Sequence, residues 1–420
     1  MKSIQRSLLC AFGLLLTMDL RAAAPTTERA GSSNVARVFL LDGKHLQTVR
    51  ERIRAGDQSL VPALSRLERD MKEAMAATAF SVVDDVVPAS GDRHDYMSQA
   101  PYFWPNPDAT NGLPYIRRDG ERNPEIGKFP DHRRMDEMVD AVETLALAYF
   151  FTGTEDGAAK AAQLLRAWFL DPATRMNPHL QYAQGIPGLT TGRGIGLIET
   201  RGLTRVVDAI GLLEGSKAWQ EADQRGLEEW FSQFLQWMQE SKNGRDEAAA
   251  KNNHGTYYDL QVASFALFVG KRDLAATVLQ TAGPKRIGSQ IEPDGRQSLE
   301  LARTKAWSYS VGNLSGLMTL ARLAEHVSVD LWHFQTPDGR SIRKALDYLV
   351  PFALGEKKWP HQQLGGVSRE ALFPLIRKAA LKYPEGPYRD MLMKLPAPEA
   401  DRRSTLLQAQ PKATARGARS

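Results

Sequence analysis

The sequence predicts an all-α protein built from antiparallel helical hairpins. Three observations support this fold class: apolar residues recur every three or four positions over long stretches, glycines and prolines separate these stretches, and alternation of apolar and polar residues never lasts for more than a few positions. Paired helices joined by loops of moderate length are typical of stacked αα-hairpins. Such hairpins can form a curved solenoid, or they can close into a toroid with a cleft at one end.

The clearest predicted hairpin comprises residues 132–152 and 155–169. In the first segment apolar residues such as Met135 and Val142 share one helical face, and Gly153 is suited to end the helix. The second segment repeats the pattern. Further helices are predicted at 194–214, 215–240, 257–270, 272–282, 299–305, 313–328 and 340–353.

The N-terminus has the residue order of a secretory signal peptide. Lys2 and Arg6 precede a short apolar run at 8–18, and small residues follow, so that cleavage is expected after Ala22. The run is too short for a membrane span, and no other stretch has the roughly 20 apolar residues that a span requires. We therefore expect a signal peptide at 1–22, a periplasmic or secreted protein and no membrane span.

Charge and cysteine content exclude several classes of function. The net charge is +5, but residues 1–22 contribute +2 and residues 401–420 contribute +4, so the part between them is close to neutral. This balance gives no support to nucleic-acid binding. Cys10 is the only cysteine and lies in the predicted signal peptide, so the mature chain has no disulfide, thiol nucleophile or cysteine-ligated metal.

A single helical domain from 35 to 395 is the simplest organisation, although a split into two domains near the Gly- and Pro-rich segment 284–296 is an alternative. Residues 396–420 are rich in Ala, Gln, Arg and Pro, and we expect a disordered basic tail there. We expect a monomer.

Polar and aromatic loops separate the helices, and loops on a rigid frame are where binding residues concentrate. The richest loops are 91–107, 177–200, 251–259 and 293–313. In the third, Asn252 and Asn253 stand at the start of a helix, where one Asn would suffice as a cap. A second Asn followed by His254 indicates a site, because an amide and an imidazole can hold a carboxylate and accept a proton. On the residues alone, capping by Asn remains the stronger interpretation.

The fourth loop contains Arg303 and Tyr309, about two helical turns apart. Arg303 offers a planar fork for a carboxylate, and Tyr309 can act as acid or base when cations lower its pKa. The alternatives are an ion pair between Arg303 and Glu300, and core packing for Tyr309. A helix break near Ser308 would bring the two candidate residues closer together.

A third group is suited to carbohydrate, because aromatic rings beside amides match the apolar faces and hydroxyls of sugars. The loops at 91–107, 177–200 and 251–259 supply the candidate substrate-binding residues, although aromatic side chains can equally anchor their own loops. These candidates are Tyr96, Tyr102, Trp104, His179, Tyr182, Gln184, Arg193 and Tyr258.

Other motifs carry less weight. The glycines of 192–196 follow no strand, so a dinucleotide-binding loop is not indicated. The eight histidines are scattered, so a metal site at His94, Asp95 or His179 is a minor alternative, and we expect no metal and no cofactor.

Four passages together resemble the alginate-lyase domain family, whose best-described members belong to polysaccharide lyase family 5. The resemblance covers most of residues 35–380. The passages are HDYMSQAPYFWPNP at 94–107, QYAQGIPG and GRGIGLIET within 181–200, NNHGTYYD at 252–259, and LELARTKAWSYS at 299–310.

This resemblance implies an (α/α) toroid, or incomplete α/α barrel, with a deep cleft and a metal-independent β-elimination on an anionic polysaccharide. In such a reaction the uronate carboxylate must be neutralised before the C5 proton can be removed. The resemblance assigns neutralisation to Asn253, His254 and Arg303, and it assigns proton transfer to His254 and Tyr309.

Two departures leave parts of this assignment open. The family-5 enzymes continue the Asn-His motif with a different Ser/Tyr/Trp pattern where this chain has Gly255-Thr256-Tyr257, and the spacing from Arg to Tyr differs slightly. The preferred uronate is therefore open, and Tyr257 or Tyr258 is an alternative to Tyr309 as proton shuttle.

Two competing functions follow from the same residues. One is a helical-toroid glycoside hydrolase, which needs a facing pair of carboxyl groups. The other is a non-catalytic glycan-binding protein. The carboxyl candidates for hydrolysis are Glu199, Asp259, Glu292 and Glu300.

Overall fold

A computed structural model gives the structure of residues 35–78, 80–84, 86–396, 399 and 402–408. The predicted signal peptide at 1–22 lies outside the described residues. The α-helices are α1 (Gly43–Arg54), α2 (Val61–Met75), α3 (Asp131–Thr152), α4 (Glu155–Leu165), α5 (Leu203–Leu212), α6 (Glu221–Glu240), α7 (Lys242–Ala248), α8 (Asn253–Phe268), α9 (Arg272–Ala282), α10 (Gly288–Gln290), α11 (Ser298–Leu301), α12 (Ala306–Ala324), α13 (Ile342–Ala353), α14 (Phe373–Lys382), α15 (Tyr388–Leu392) and α16 (Ser404–Leu407).

The predicted α3–α4 hairpin is present. Helix α3 buries the face that carries Met135 and Val142, and it ends at Gly153, whose left-handed φ of 78° an L side chain rarely adopts. Helix α4 packs against α3, and its last turn widens into a π-helix at Arg166–Leu170. The sequence pattern therefore gave both helices and the turn between them.

Helix α8 is the central element of the fold. It is buried along nearly its whole length and packs against α5, α6, α7, α9 and α12. A helix that is apolar on all sides must have neighbours on all sides, so the other helices surround it. Together they form the predicted (α/α) toroid of helical hairpins. None of the helices in the described part is long and apolar enough to cross a membrane.

An N-terminal strap, residues 37–41, runs across several of these helices. Both carboxylate oxygens of Asp208 on α5 accept hydrogen bonds from the strap amides of Phe39, Leu40 and Leu41. Arg322 on α12 donates to the carbonyl of Leu41. The strap thus joins α5 to α12. Its Arg37 also donates to the carbonyl of Phe268, at the C-terminal end of α8.

Strands are few and short, as the sequence predicts. Strand β1 (Met97–Gln99) pairs in parallel with β4 (Tyr182–Gly185), and β2 (Phe103–Trp104) pairs with β3 (Ile116–Arg117) in an antiparallel hairpin. These two small sheets hold together the loops that lie between residues 97 and 185.

The predicted helix boundaries need several corrections. Residues Gly194–Gly202 form a 3₁₀-helix before α5, and α8 begins at Asn253 rather than at 257. Helix α11 ends at Leu301 rather than at 305, and α12 begins at Ala306 rather than at 313, so Ser308 lies within a helix and the break lies at 302–305. Helices α1, α2 and α14 lie outside the predicted segments, and each buries only a narrow face against the core.

Two features of the organisation bear on the sequence analysis. The described residues from Val35 onward form one compact unit, without a division at the alternative boundary near 284–296. Within the segment expected to be a basic tail, α16 buries Leu406, and Arg403 lies 3.3 Å from Asp70 and 3.5 Å from Glu143. The sequence indicated disorder because one apolar pair in a basic segment does not stand out.

Candidate active site

The N-terminal end of α8 presents two candidate residues. Asn252 caps this helix, since its side chain accepts a hydrogen bond from the amide of His254. With the cap supplied by Asn252, the side chain of Asn253 is free for another role. Gly255 is required by packing: a Cβ there would lie 2.1 Å from the carbonyl oxygen of Ala250 and 2.1 Å from Nη1 of Arg286. The glycine that departs from the family-5 pattern thus lets α8 approach Arg286.

His254 is held by a buried carboxylate. Its Nδ1 lies 2.6 Å from Oε1 of Glu247 on α7, and the exposed fraction of the side chain is 14% for His254 and 2% for Glu247. A carboxylate can only accept, so in the neutral imidazole Nδ1 carries the hydrogen and Nε2 carries the lone pair. Nε2 has no hydrogen-bond partner among the described residues. The imidazole is therefore arranged as a proton acceptor.

Asn253 is fixed by a second buried carboxylate, Glu300. The backbone amide of Asn253 donates to Oε1 at 2.7 Å, and its Nδ2 donates to Oε2 at 2.8 Å. Burial raises the pKa of Glu300, although the hydrogen bonds from Asn253 oppose this effect. Because Glu300 occupies one hydrogen of Nδ2, the other remains for a ligand.

Arg303 pairs with Asp119, which lies in the loop after β3. Its Nη2 and Nε lie 2.8 and 3.1 Å from the two carboxylate oxygens, and Thr304 also donates to Asp119. Burial tends to raise the pKa of Asp119, but the hydrogen bonds and charge of Arg303 outweigh burial and lower it well below its usual value. The alternative of an ion pair with Glu300 is therefore wrong, because the carboxylate bound to Arg303 is Asp119.

Tyr309 contacts Arg303 and Tyr102. The guanidinium carbon of Arg303 lies 3.9 Å from the centre of the Tyr309 ring, and Nη2 donates to the phenolic oxygen at 2.8 Å. Tyr309 in turn donates to the hydroxyl of Tyr102 at 3.2 Å. Burial raises the pKa of Tyr309, and the hydrogen bond to Tyr102 adds to this effect. The charge of Arg303 lowers the pKa, as expected of a cation, but by less, so the pKa lies above its ordinary value. Tyr309 is therefore a neutral hydroxyl, suited to donate a proton.

Gln184 and Arg193 form a second polar pair at the same end of the fold. Nη2 of Arg193 donates to Oε1 of Gln184 at 2.8 Å, and the guanidinium lies 5.0 Å from the centre of the Phe103 ring. Gln184 has a φ of 51°, a strained value for a residue with a side chain. Its backbone amide donates to Ser98. Both members of the pair are thus held by the β1–β4 and β2–β3 sheets.

Three tyrosines considered as candidates are structural. Tyr96 is fully buried and donates to Glu199, so it belongs to the core and no ligand can reach it. Tyr258 is 7% exposed and donates to the carbonyl of Met238. Tyr257 donates to the carbonyl of Gly312. Substrate binding by Tyr96 and Tyr258 is therefore contradicted, and neither Tyr257 nor Tyr258 has a free hydroxyl for proton transfer.

The remaining aromatic candidates lie on partly exposed positions. Trp104 donates its indole hydrogen to the carbonyl of Glu121, and Tyr182 begins strand β4. Nε2 of His179 lies 2.9 Å from the buried Asp95, and its ring centre is 6.1 Å from that of Trp237. The structure therefore leaves Trp104, His179 and Tyr182 accessible. Trp237 on α6 lies next to His179, and no motif in the sequence marks it as a candidate.

The carboxyl groups proposed for hydrolysis are already bound to other residues. Asp259 is buried against Arg286 and Lys285, and Glu199 accepts hydrogen bonds from Tyr96 and Ser98. Glu292 lies 3.4 Å from Arg340, and Glu300 holds Asn253.

The sequence does not indicate two carboxylates of this site, those of Glu247 and Asp119. Glu247 and Asp119 are acidic residues in polar segments, and nothing in their spacing distinguishes them from solvated surface residues. Their partners lie 7 and 184 positions away in the chain, at His254 and Arg303. Among the described residues, no cluster of three or more His, Asp or Glu side chains is placed to hold a metal ion.

Comparison with known proteins gives a consistent result. Residues 82–359 match the alginate lyase family. A crystal structure of an alginate lyase from Bacteroides ovatus is 40% identical, with a TM-score of 0.85, and covers 89% of this chain and 99% of its own. No curated protein sequence matches this chain.

More distant structures share the fold. Alginate lyase A1-III from Sphingomonas species A1 is 15% identical with a TM-score of 0.53, and the match covers 83% of this chain and 97% of that one. A histidine-to-alanine variant of alginate lyase A1-III, complexed with a tetrasaccharide, is 16% identical with a TM-score of 0.60, over 91% of this chain and 98% of that one.

Proposed function

This chain belongs to the alginate lyase family and is a polysaccharide lyase, and we propose that it cleaves alginate or a closely related polyuronide by metal-independent β-elimination. The observation that carries the mechanism is the contact between Glu247 and His254, which leaves Nε2 of the imidazole as a free base. The relatives named above are alginate lyases, which supports an anionic polysaccharide as the substrate.

The proposed reaction begins at C5 of a uronate. Nε2 of His254 takes the C5 proton, and the electron pair of the broken C–H bond forms the C4–C5 double bond. The bond from C4 to the glycosidic oxygen breaks, and Tyr309 gives its proton to that oxygen. The products are a new reducing end and a 4,5-unsaturated non-reducing end. General acid and base groups placed in this way typically contribute about 10²–10⁴-fold each.

The uronate carboxylate must be stabilised while C5 loses its proton, because negative charge moves onto the carboxylate oxygens. The free hydrogen of Asn253 Nδ2 can donate to one of these oxygens. An arginine side chain of this site can neutralise the negative charge that grows on these carboxylate oxygens. Fixed donors in a partly dehydrated cleft stabilise such a charge better than water does, because they need no reorientation.

The competing hydrolase receives no support, because the four candidate carboxylates are committed to Arg286, Arg340, Asn253 or the hydroxyls of Tyr96 and Ser98. A non-catalytic glycan-binding protein would not need Glu247 to fix the tautomer of His254. The arrangement of a base and a neutral phenol therefore favours the lyase.

The decisive experiment is a screen of the purified protein against mannuronate blocks, guluronate blocks and glucuronan. The ultraviolet absorbance of the conjugated double bond measures elimination directly, since hydrolysis creates no such bond. We expect absorbance to rise with at least one substrate, with and without a chelator. New reducing ends without absorbance would indicate a hydrolase, and binding without either product would indicate a glycan-binding protein.

A further inference from the structure

Arg193 is a partly buried cation without an anionic partner. Among the described residues, Gln184 accepts its one side-chain hydrogen bond, and none of the described carboxylates lies within ion-pair distance. Its Nε is buried and unpaired. Burial lowers the pKa of Arg193, and the nearby Arg117 adds to this effect. An unpaired and partly dehydrated cation is costly, so a protein keeps one where a ligand supplies the missing charge.

The other buried guanidiniums of this region are satisfied by the protein. Arg286 binds both oxygens of Asp259 and two backbone carbonyls. Arg303 binds both oxygens of Asp119 and the hydroxyl of Tyr309. A substrate carboxylate that reached Arg303 would have to compete with Asp119 for the same donors. At Arg193 no such competition exists.

The position of Arg193 is fixed by close packing. Cβ atoms on Gly192 and Gly194 would lie 2.0 Å from the carbonyl oxygen of Gln181 and 2.5 Å from that of Asn243. The two glycines therefore let the segment pass between β4 and α7. Phe103 supports the face of the guanidinium, and Gln184 holds its Nη2.

The segment that carries Arg193 packs against α7, the helix that holds the proposed base. A Cβ added to Gly194 would lie 3.2 Å from the backbone nitrogen of Glu247. The negative charge of Glu247 also acts on the pKa of Arg193, and it raises this pKa. Glu247 is the carboxylate that holds His254, so Arg193 and the imidazole belong to the same end of α7.

We propose that Arg193, rather than Arg303, receives the carboxylate of the uronate whose C5 proton is removed. This inference rests on the proposed function and deepens it. Arg303 is then a positioning residue: its guanidinium lies on the ring of Tyr309 and donates to the phenolic oxygen, while Asp119 holds it in place. The resemblance to the family assigns neutralisation of the carboxylate to Arg303 together with Asn253 and His254.

The test compares kcat and KM of the wild type with those of Arg193→Gln and Arg193→Lys on the best polyuronide of the screen. Charge on the carboxylate grows as C5 loses its proton, so Arg193→Gln should lower kcat by about 10- to 100-fold, the effect of losing charge-assisted hydrogen bonds. Arg193→Lys should recover part of the loss. Arg225→Gln, at an exposed position on α6, is the matched control and should leave kcat unchanged.

A second readout separates substrate binding from a structural role. Arg193→Gln removes an unpaired cation, so its melting temperature should equal or exceed that of the wild type. Arg303→Gln removes the two-point ion pair with Asp119 and leaves this carboxylate with Arg117 alone, so the variant should melt at a lower temperature.

Three outcomes would overturn the inference. An unchanged kcat in Arg193→Gln, including one with only a higher KM, would show that Arg193 does not bind the reacting carboxylate. A large fall in the melting temperature of Arg193→Gln would indicate a structural residue. A wild type that eliminates no polyuronide would overturn the proposed function together with this inference, whereas the first two outcomes leave the proposed function standing.

Discussion

Glu247 lies 2.6 Å from Nδ1 of His254, and this contact determines which nitrogen of the imidazole is the base. The carboxylate is almost completely buried, so it keeps one orientation and one partner. In the other tautomer Nδ1 would have no hydrogen to give to Glu247, and the two groups would repel each other. The carboxylate thus prepares His254 for proton abstraction before any substrate arrives.

We expect Glu247→Gln to lower kcat by about 10²-fold or more, because the neutral amide no longer selects the tautomer or stabilises the protonated imidazole. KM should change little, since Glu247 does not contact the substrate. The measurement is steady-state kinetics with circular dichroism to verify the fold. Glu229→Gln on the exposed side of α6 is a control that should behave as wild type. Wild-type kcat in Glu247→Gln would contradict the role of the dyad.

The tyrosines near the site should differ sharply when each loses its hydroxyl. Tyr309→Phe should reduce elimination by at least about 10²-fold, because it removes the proposed general acid. Tyr257→Phe and Tyr258→Phe should retain most of the activity, since their hydroxyls donate to backbone carbonyls. Each of these two variants should lose about 1 kcal/mol of stability for the missing hydrogen bond. An active Tyr309→Phe beside an inactive Tyr257→Phe would reverse the assignment.

The activity should persist at alkaline pH. The pKa of Tyr309 lies above the ordinary 10.0, so its proton is retained as the pH approaches 10, and a general acid with a raised pKa is lost only above that value. We expect kcat to stay constant between about pH 8 and pH 10, an interval below that raised pKa. The check is a kcat–pH profile with circular dichroism at each pH. A fall in kcat within this interval, with the fold intact, would mean that the acid is another group.

Asp208 should make stability depend on pH. Burial raises its pKa to about 6 against an ordinary 3.8, although the strap amides oppose this effect. Because the native state binds this proton more tightly than the unfolded state, the stabilisation is complete below about pH 4 and is lost as the pH rises through 6. The difference corresponds to roughly 3 kcal/mol.

The measurement is the free energy of unfolding of the wild type and of Asp208→Asn between about pH 4 and pH 7. Asparagine cannot titrate, so the advantage of the wild type over the variant should shrink as the pH rises. A constant difference across this range would mean that Asp208 has the same pKa in the folded and unfolded chain.

The sequence predicted the fold class because helical periodicity is a local property. The α3–α4 hairpin and the bounds of α9 follow directly from residues close in the chain. The strap at 37–41 was not predictable, because its partners Asp208 and Arg322 become neighbours only in the folded protein. For the same reason, the sequence did not predict helix α16 at Ser404–Leu407.

The candidate site was likewise predicted only in part from the sequence. Asn253, His254, Arg303 and Tyr309 could be selected because they stand in short, unusual motifs. Their second partners Glu247, Glu300 and Asp119 are ordinary acidic residues in the sequence, and only the structure relates them to the site. Arg303 forms an ion pair and Arg193 does not, because an acidic side chain lies next to the first and none in the described part of the chain lies within ion-pair distance of the second. No sequence motif could therefore distinguish the two arginines.

The strap at 37–41 has a consequence for how the chain folds. It binds at the C-terminal end of α8, about 24 Å along this helix from Asn253. Its hydrogen-bond partners Asp208, Phe268 and Arg322 are synthesised long after the strap itself. The strap can therefore form these hydrogen bonds only after most of the chain has been synthesised. Contacts between residues so far apart in the sequence also form slowly. A fluorescent probe on this segment would report the last stage of folding rather than the first.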